Sequence, residues 1–404
     1  MAALIANHME LGEETREAAR WSARAAYWAG SSRPGDALRL WRKTMELAER
    51  LGEDEESTGL AVMSRLLQLD FAWRLGMDST EEARLAAEAE ELAERSGDLR
   101  SLALLRMVTA VRPGMEHRAE VWLGAVADTV RLADESEDLH LRVAVRAAGS
   151  YAYLCSGRFD DFEASLREVL ELVGEDRGTG AGIIIGSPIA WATMALGMVW
   201  RERGRLDDAE AQLEAGLRLA DEAGDPEIAS WTRSTQALML AMRGEAEAGV
   251  ALARRNCELT ERLGDVFSRS LALANLGASQ LAAGEYAGAL DSLEEAERIY
   301  RAAMDNGGEM EAWRAALRAD ALTGVGRAEE AIELAEWAAG IAEERGMRWS
   351  LPLALLAAGR ARVAAGHEGV REVLDRAAAI AEETGAAATL TVIEDERGAL
   401  SPTR

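Results

Sequence analysis

Trp191, Trp231 and Trp313 each stand thirteen residues before a glycine, at Gly204, Gly244 and Gly326. Other recognition-competent residues share the frame. Met194 and Ser234 come ten residues before their glycines, Met198, Asp320 and Arg360 six, and Arg201 three, with Arg360 counted from Gly366. Indole rings and methionines build adaptable apolar surfaces, and guanidinium groups take carboxylates or phosphates through paired hydrogen bonds. The chemistry on offer is binding. The same spacing also suits rings packed between neighbouring helices, and in an acidic chain most arginines pair with nearby Glu or Asp. Exposure of the three tryptophans in an apolar groove would favour a ligand; burial of all three between helices would count against binding there and assign them to packing.

Residues for catalysis are scattered. His8, His117, His140 and His367 lie far apart, and Cys155 and Cys257 form no ligand-spaced pair. No metal site, Ser-His-Asp set or Cys-His set can be assembled from them. Acidic pairs four residues apart recur widely along the candidate helices, so none marks an acid and base. The only lysine, Lys43, lies in RLWRKTMEL without the glycine frame of a phosphate-binding loop. The expectation is a chain that is not an enzyme, with no catalytic residues, metal or cofactor.

Charge narrows the partners. Seventy-one acidic against 45 basic residues leave −26 over 404 residues, which repels nucleic acid and anionic lipid in the absence of a basic run. The uncharged stretch GTGAGIIIGSPIAWATMALGMVW (178–200) is broken by Gly178, Gly180, Gly182, Gly186 and Pro188, so it makes a poor spanning helix. MAALIANHMELGEE is too short in its apolar core for a signal peptide. Two cysteines in a large acidic chain fit a reducing cytoplasm. The expected partner is a protein or peptide segment, a small molecule, or a second copy of the chain.

These residues are positioned by repeats. RGRLDDAE, RGEAEAGV, AGEYAGAL, VGRAEEAI and AGHEGVRE carry turn glycines Gly204, Gly244, Gly284, Gly326 and Gly366, which recur about every 40 residues. RLADEAGD, ELTERLGD, GIAEERGM and AIAEETGA end each unit as a helix stopped by glycine. A small residue seven positions before each turn glycine (Gly197, Ala237, Gly277, Ala319, Gly359), answered by Ala209 or Ala289 five after it, allows two helices to approach closely. The reading is all-α: a right-handed α-solenoid of about nine tetratricopeptide-like helix pairs. About four pairs occupy 1–175, at 14–52, 55–97, 99–137 and 139–174. A glycine-rich inter-repeat loop covers 176–187, with Ile183, Ile184 and Ile185 tucked against the groove or the joint, and about five pairs fill 188–404. Ser187 reads as a helix cap with Pro188 in the first turn.

The segments EAARWSARAAYWAGSSRPGDALRLWRK (17–43), GAGIIIGSPIAW (180–191), DVFSRSLALANLG (265–277) and VIEDERGAL (392–400) resemble the C-terminal tetratricopeptide-repeat region of bacterial multidomain signalling proteins. In these a class III adenylate/guanylate cyclase-like domain precedes an AAA/STAND-type ATPase module, and the repeats follow. The resemblance implies a non-catalytic sensor or regulatory module. Its concave groove would bind a peptide, protein segment or small molecule and relay this to a cyclase or ATPase absent from this chain. The sequence contains neither catalytic module, so it reads as such a region cut from its parent or as a relative standing alone. An oligomerisation scaffold without ligand is the alternative.

Overall fold

The computed structural model describes residues 1–52, 54–116, 118–304 and 307–400. Its first half holds α1 (Ala2–Leu11), α2 (Thr15–Ala29), α3 (Pro34–Glu49), α4 (Glu55–Leu75), α5 (Ser79–Ser96), α6 (Leu99–Glu116), α7 (Ala119–Glu135), α8 (Leu139–Cys155), α9 (Phe159–Val173) and α10 (Pro188–Glu202). The second half continues with α11 (Leu206–Ala223), α12 (Pro226–Met242), α13 (Ala246–Leu263), α14 (Val266–Ala282), α15 (Tyr286–Ala303), α16 (Glu311–Gly324), α17 (Ala328–Arg345), α18 (Leu351–Ala365), α19 (Val370–Thr384) and α20 (Ala387–Ala399). Among the described residues there is no strand, and no helix is long and apolar enough to cross a membrane. From α2 to α19 the helices form nine antiparallel pairs, with α1 before them and α20 closing the end. The fold is an α-solenoid of tetratricopeptide type.

Short polar signals start the helices. Asp54 and Ser57 form a reciprocal capping box before α4, and Asp225 accepts from the Ile228 N–H before α12. Ser187 caps α10 with Pro188 in its first turn. Inside a pair, glycine sets the approach: a Cβ built on Gly277 of α14 would lie 2.6 Å from Cγ of Leu293 and 3.2 Å from the Ala289 carbonyl oxygen on α15. The contact between small residues is thus real, and a leucine fills the space they leave.

The superhelix is tight. Helix α4 packs on α14 and α10 on α20, each ten helices further on, so one turn takes five pairs and successive turns touch. Arg74 and Glu227, 153 residues apart, meet across this seam. Tyr151 donates to Glu309 across 158 residues, and Ser32 to the Gly224 carbonyl across 192. One buried apolar cluster runs from Ala2 to Ile393 through both turns. The inner face is therefore roofed by the next turn and does not form the open groove expected from an isolated stack of pairs.

Candidate functional site

Where the two turns face each other they line a partly open inner cavity of about 120 Å³, with an almost wholly apolar wall. Helix α4 gives Asp70, Trp73 and Arg74. Helix α6 gives Met107, Val108, Val111 and Met115, α7 gives Trp122, and α8 gives Ala148 and Tyr151. Met194, Met198 and Arg201 of α10, Leu238 of α12, and Phe267, Leu271 and Asn275 of α14 continue the wall, and Met310 and Trp349 complete it from connections in the second turn.

Of the residues singled out in the sequence, Trp191, Met194, Met198, Arg201, Trp231, Ser234, Trp313, Ile184 and Ile185 line this cavity. The repeat register brings them together because a fixed offset from the turn glycine fixes the helix face. Their exposure is corrected by the structure: Trp191 is 6%, Trp231 9% and Trp313 5% exposed. By the criterion of open exposure most of each ring belongs to packing, and the ladder does not lie open on a concave surface. Its remaining surface faces the partly open inner cavity. Trp313 also leaves the row, stacking on Trp349 at 5.8 Å. Asp320 and Arg360 lie apart from the cavity: Arg360 donates to Asp320 at 2.9 Å and to Glu396 at 2.8 Å. That pairing satisfies the guanidinium within the C-terminal pairs. Ile183 lies outside the inner wall, on a second cavity described below.

The aromatic row is longer than the sequence register showed. Trp122, Tyr151, Trp191, Trp231, Phe267 and Trp73 contact edge to face in succession, with centroids 5.8, 6.1, 5.7, 5.7 and 4.9 Å apart. Each such pair adds about 0.5–1.5 kcal/mol beyond area burial. The last step, Phe267 to Trp73, crosses the seam from α14 to α4. Indole N–H groups fix the rings: Trp191 donates to Ser150 at 3.0 Å and Trp231 to Ser268 at 2.9 Å. Counting back from Gly76 as from the later turn glycines puts Asp70 and Trp73 where Met198 and Arg201 stand, and the same count from Gly157 gives Tyr151. Trp122, Trp349 and Met310 lie in second helices or connections, beyond any such count.

A few polar groups break the apolar wall, Arg74 foremost among them. The Arg74 guanidinium lies 4.2 Å from the Trp73 ring centroid, donates from Nε to Glu227 at 2.7 Å and reaches Asp70 Oδ1 at 3.2 Å. Burial pushes the Glu227 carboxyl up to about 8; Arg74 opposes the rise, and Asp265 and Asp225 add to it. Burial also raises Asp70 and Asp265 above the usual carboxylate range. Arg201 is paired with its neighbour Glu202. Ser234 accepts from Asn256 at 3.0 Å, and Asn275 donates to the Leu271 carbonyl at 2.7 Å. These groups are paired, whereas the indole N–H groups of Trp122 and Trp349 and the Asn275 Oδ1, all on residues of this wall, are buried without a hydrogen-bond partner.

Asp70, Arg74, Ile184 and Ile185 also line a second, more polar cavity of about 410 Å³. Its other walls are the end of α2 with Tyr27 and Trp28, the loop from Ala181 to Gly186, and the α11–α12 junction with Asp225 and Glu227. The glycine-rich loop is held in place here: Gly182 donates to the Ile185 carbonyl at 2.9 Å and Gly180 to His140 Nδ1 at 3.0 Å. At Gly180 φ is +76° and a Cβ would lie 2.9 Å from Val143, so only glycine fits. The two isoleucines form the partition between the chambers.

No family model matches the chain, and no curated protein matches it. Among solved structures it is similar to the Rap protein complexed with Competence and Sporulation Factor, at 11% identity and a TM-score of 0.48, over 98% of this chain and 100% of that one. It is also similar to aspartyl phosphate phosphatase F from Bacillus subtilis, at 13% identity and 0.49, over 96% and 93%. A third is a STAND signal transduction ATPase with a tetratricopeptide repeat sensor from Pyrococcus horikoshii, at 13% identity and 0.46, over 90% of this chain and 55% of that one.

Proposed function

We propose that this chain is a non-catalytic sensor module whose inner cavity takes a small, largely apolar molecule, and that occupancy is relayed to an effector outside these residues. The observation that carries the reading is the aromatic row, which crosses the seam from Phe267 to Trp73. An occupant there touches both superhelical turns, so it binds the closed superhelix better than an opened one and shifts the population toward it. A cavity of about 120 Å³ compares with the roughly 150 Å³ apolar cavity that accommodates benzene. It favours a ring or short chain over a peptide in an open groove. The sequence resemblance supports a cyclase or AAA/STAND-type ATPase as the effector. The regions 1–175 and 188–404 are proposed as two arms whose relative curvature is the output, joined through 176–187.

A thermal-shift screen of apolar small molecules against the wild type and Trp231→Ala tests this. The expected result is a compound that raises the wild-type midpoint by several degrees and loses the effect in the variant. Uniform failure of the library, with self-association of the chain in sedimentation, would instead support the scaffold reading.

A further inference from the structure

Three polar atoms on the wall of the inner cavity stand apart from the pairing around them. They are the indole Nε1 of Trp122 on α7, the indole Nε1 of Trp349 on the connection after α17, and Oδ1 of Asn275 on α14. Buried polar groups are ordinarily paired, and one left unpaired carries its full desolvation penalty. Trp122 and Asn275 are each only 2% exposed. Trp191 and Trp231 of the same wall, by contrast, each donate to a serine. Trp122 meets Tyr151 at 5.8 Å, and the backbone N–H of Trp349 donates to the Cys155 carbonyl at 3.3 Å, so both indoles flank the C-terminal part of α8. The Asn275 carboxamide is oriented by its Nδ2, which donates to the Leu271 carbonyl at 2.7 Å; turning it over would set two oxygens against each other. The wall therefore offers two donors and one acceptor, and an occupant of the cavity is placed to answer them.

We infer that the inner cavity selects an uncharged ligand of the amide class, an aromatic or short alkyl body whose carbonyl oxygen accepts from the indole N–H groups and whose N–H donates to Asn275. The inference rests on the inner cavity being a ligand site. A carbonyl oxygen has two lone pairs and serves two donors, while the amide nitrogen supplies the proton that Oδ1 lacks. The charged groups of the wall are already matched, Arg74 by Glu227 and Asp70 and Arg201 by Glu202. A charged ligand would bring an unpaired charge into this apolar space at a large desolvation cost. A hydrocarbon of the same shape would fill the space and leave all three atoms unanswered.

A matched series tests this on the full chain by calorimetry and tryptophan fluorescence. Ethylbenzene, acetophenone, benzamide and benzoate share one ring and add, in turn, nothing polar, an acceptor, an acceptor with a donor, and a charge. Affinities are taken relative to ethylbenzene on the same chain, which removes most of the effect of an altered cavity size. Trp122→Phe and Trp349→Phe keep a ring and lose the N–H; each should lower the relative affinity of acetophenone and benzamide by about two- to tenfold, the size of one neutral hydrogen bond. Asn275→Leu should lower that of benzamide alone. Benzoate should bind the wild type about tenfold or more weakly than benzamide. Where a Phe variant does not fold, the indole N–H proton signals of the wild type serve instead: they should move downfield with acetophenone and stay in place with ethylbenzene. Binding of ethylbenzene with unchanged ratios in all three variants, or tighter binding of benzoate than of benzamide, would overturn the amide inference and leave the apolar site standing. Failure of all four ligands overturns the amide inference, and with no shift from the apolar library it overturns the cavity reading as well.

Discussion

Arg74 on α4 and Glu227 on α12 meet at 2.7 Å across the seam between superhelical turns, each of their side chains about 5% exposed (6% and 4%). Above about pH 8, where Glu227 is ionised, removing Arg74 leaves a buried charge uncompensated, which costs about 3–5 kcal/mol. Arg74→Met should therefore lower the urea unfolding free energy by that order in that pH range. Arg16→Ala, which breaks an exposed pair with Asp54, should cost less than about 1 kcal/mol. Equal effects of the two would show that the seam adds no stability.

The same pair gives the chain a pH response. Glu227 titrates near 8 in the folded protein, above its ordinary 4.5, so between these values the folded state holds the proton that the unfolded chain releases. Stability then falls as pH rises through that window, and the Glu227 contribution is fully present only below its lower end. Arg74 lowers this carboxyl, and Asp265 and Asp225 raise it. The thermal midpoint should drop by about 1–3 °C between pH 6 and pH 9, and Glu227→Gln should flatten the slope, as followed by scanning calorimetry.

Gly277→Ala should cost about 1–3 kcal/mol, the usual penalty for overpacking, because the new methyl would reach Leu293 and the Ala289 carbonyl. Gly340→Ala places its methyl in open space on α17 and should stabilise by up to about 1 kcal/mol through helix propensity. Paired chemical denaturation curves give both values.

Neither thiol is primed to react. Cys155 is buried, and burial raises its thiol well above the ordinary value; Cys257 is partly buried and pushed up to about 11. A disulfide-exchange reagent at pH 8 should label Cys257 slowly and Cys155 only on unfolding, with the latter rate tracking denaturant.

Much of the cavity wall was legible as a register. Counting back from Gly204, Gly244 and Gly326 located Trp191, Trp231 and Trp313 on helices that line the cavity. The same count reaches Asp70, Trp73 and Tyr151 once Gly76 and Gly157 are used as origins. Asp320 and Arg360 also satisfied the register, yet they pair with one another and with Glu396 away from the cavity. Register names a helix face; the neighbouring pair decides what that face meets.

What the sequence by itself determined was local: helices set by composition and caps, pairs set by small residues at a fixed offset, and a period near 40. These are interactions within one repeat or between neighbours, and their residues recur at constant spacing. The tertiary structure alone decided that a turn closes after five pairs, that Phe267 touches Trp73, and that Arg74 finds Glu227. Small rotations between successive pairs add up over ten helices, and no short motif records their sum. Through that closure a row of aromatic rings became the wall of an inner cavity.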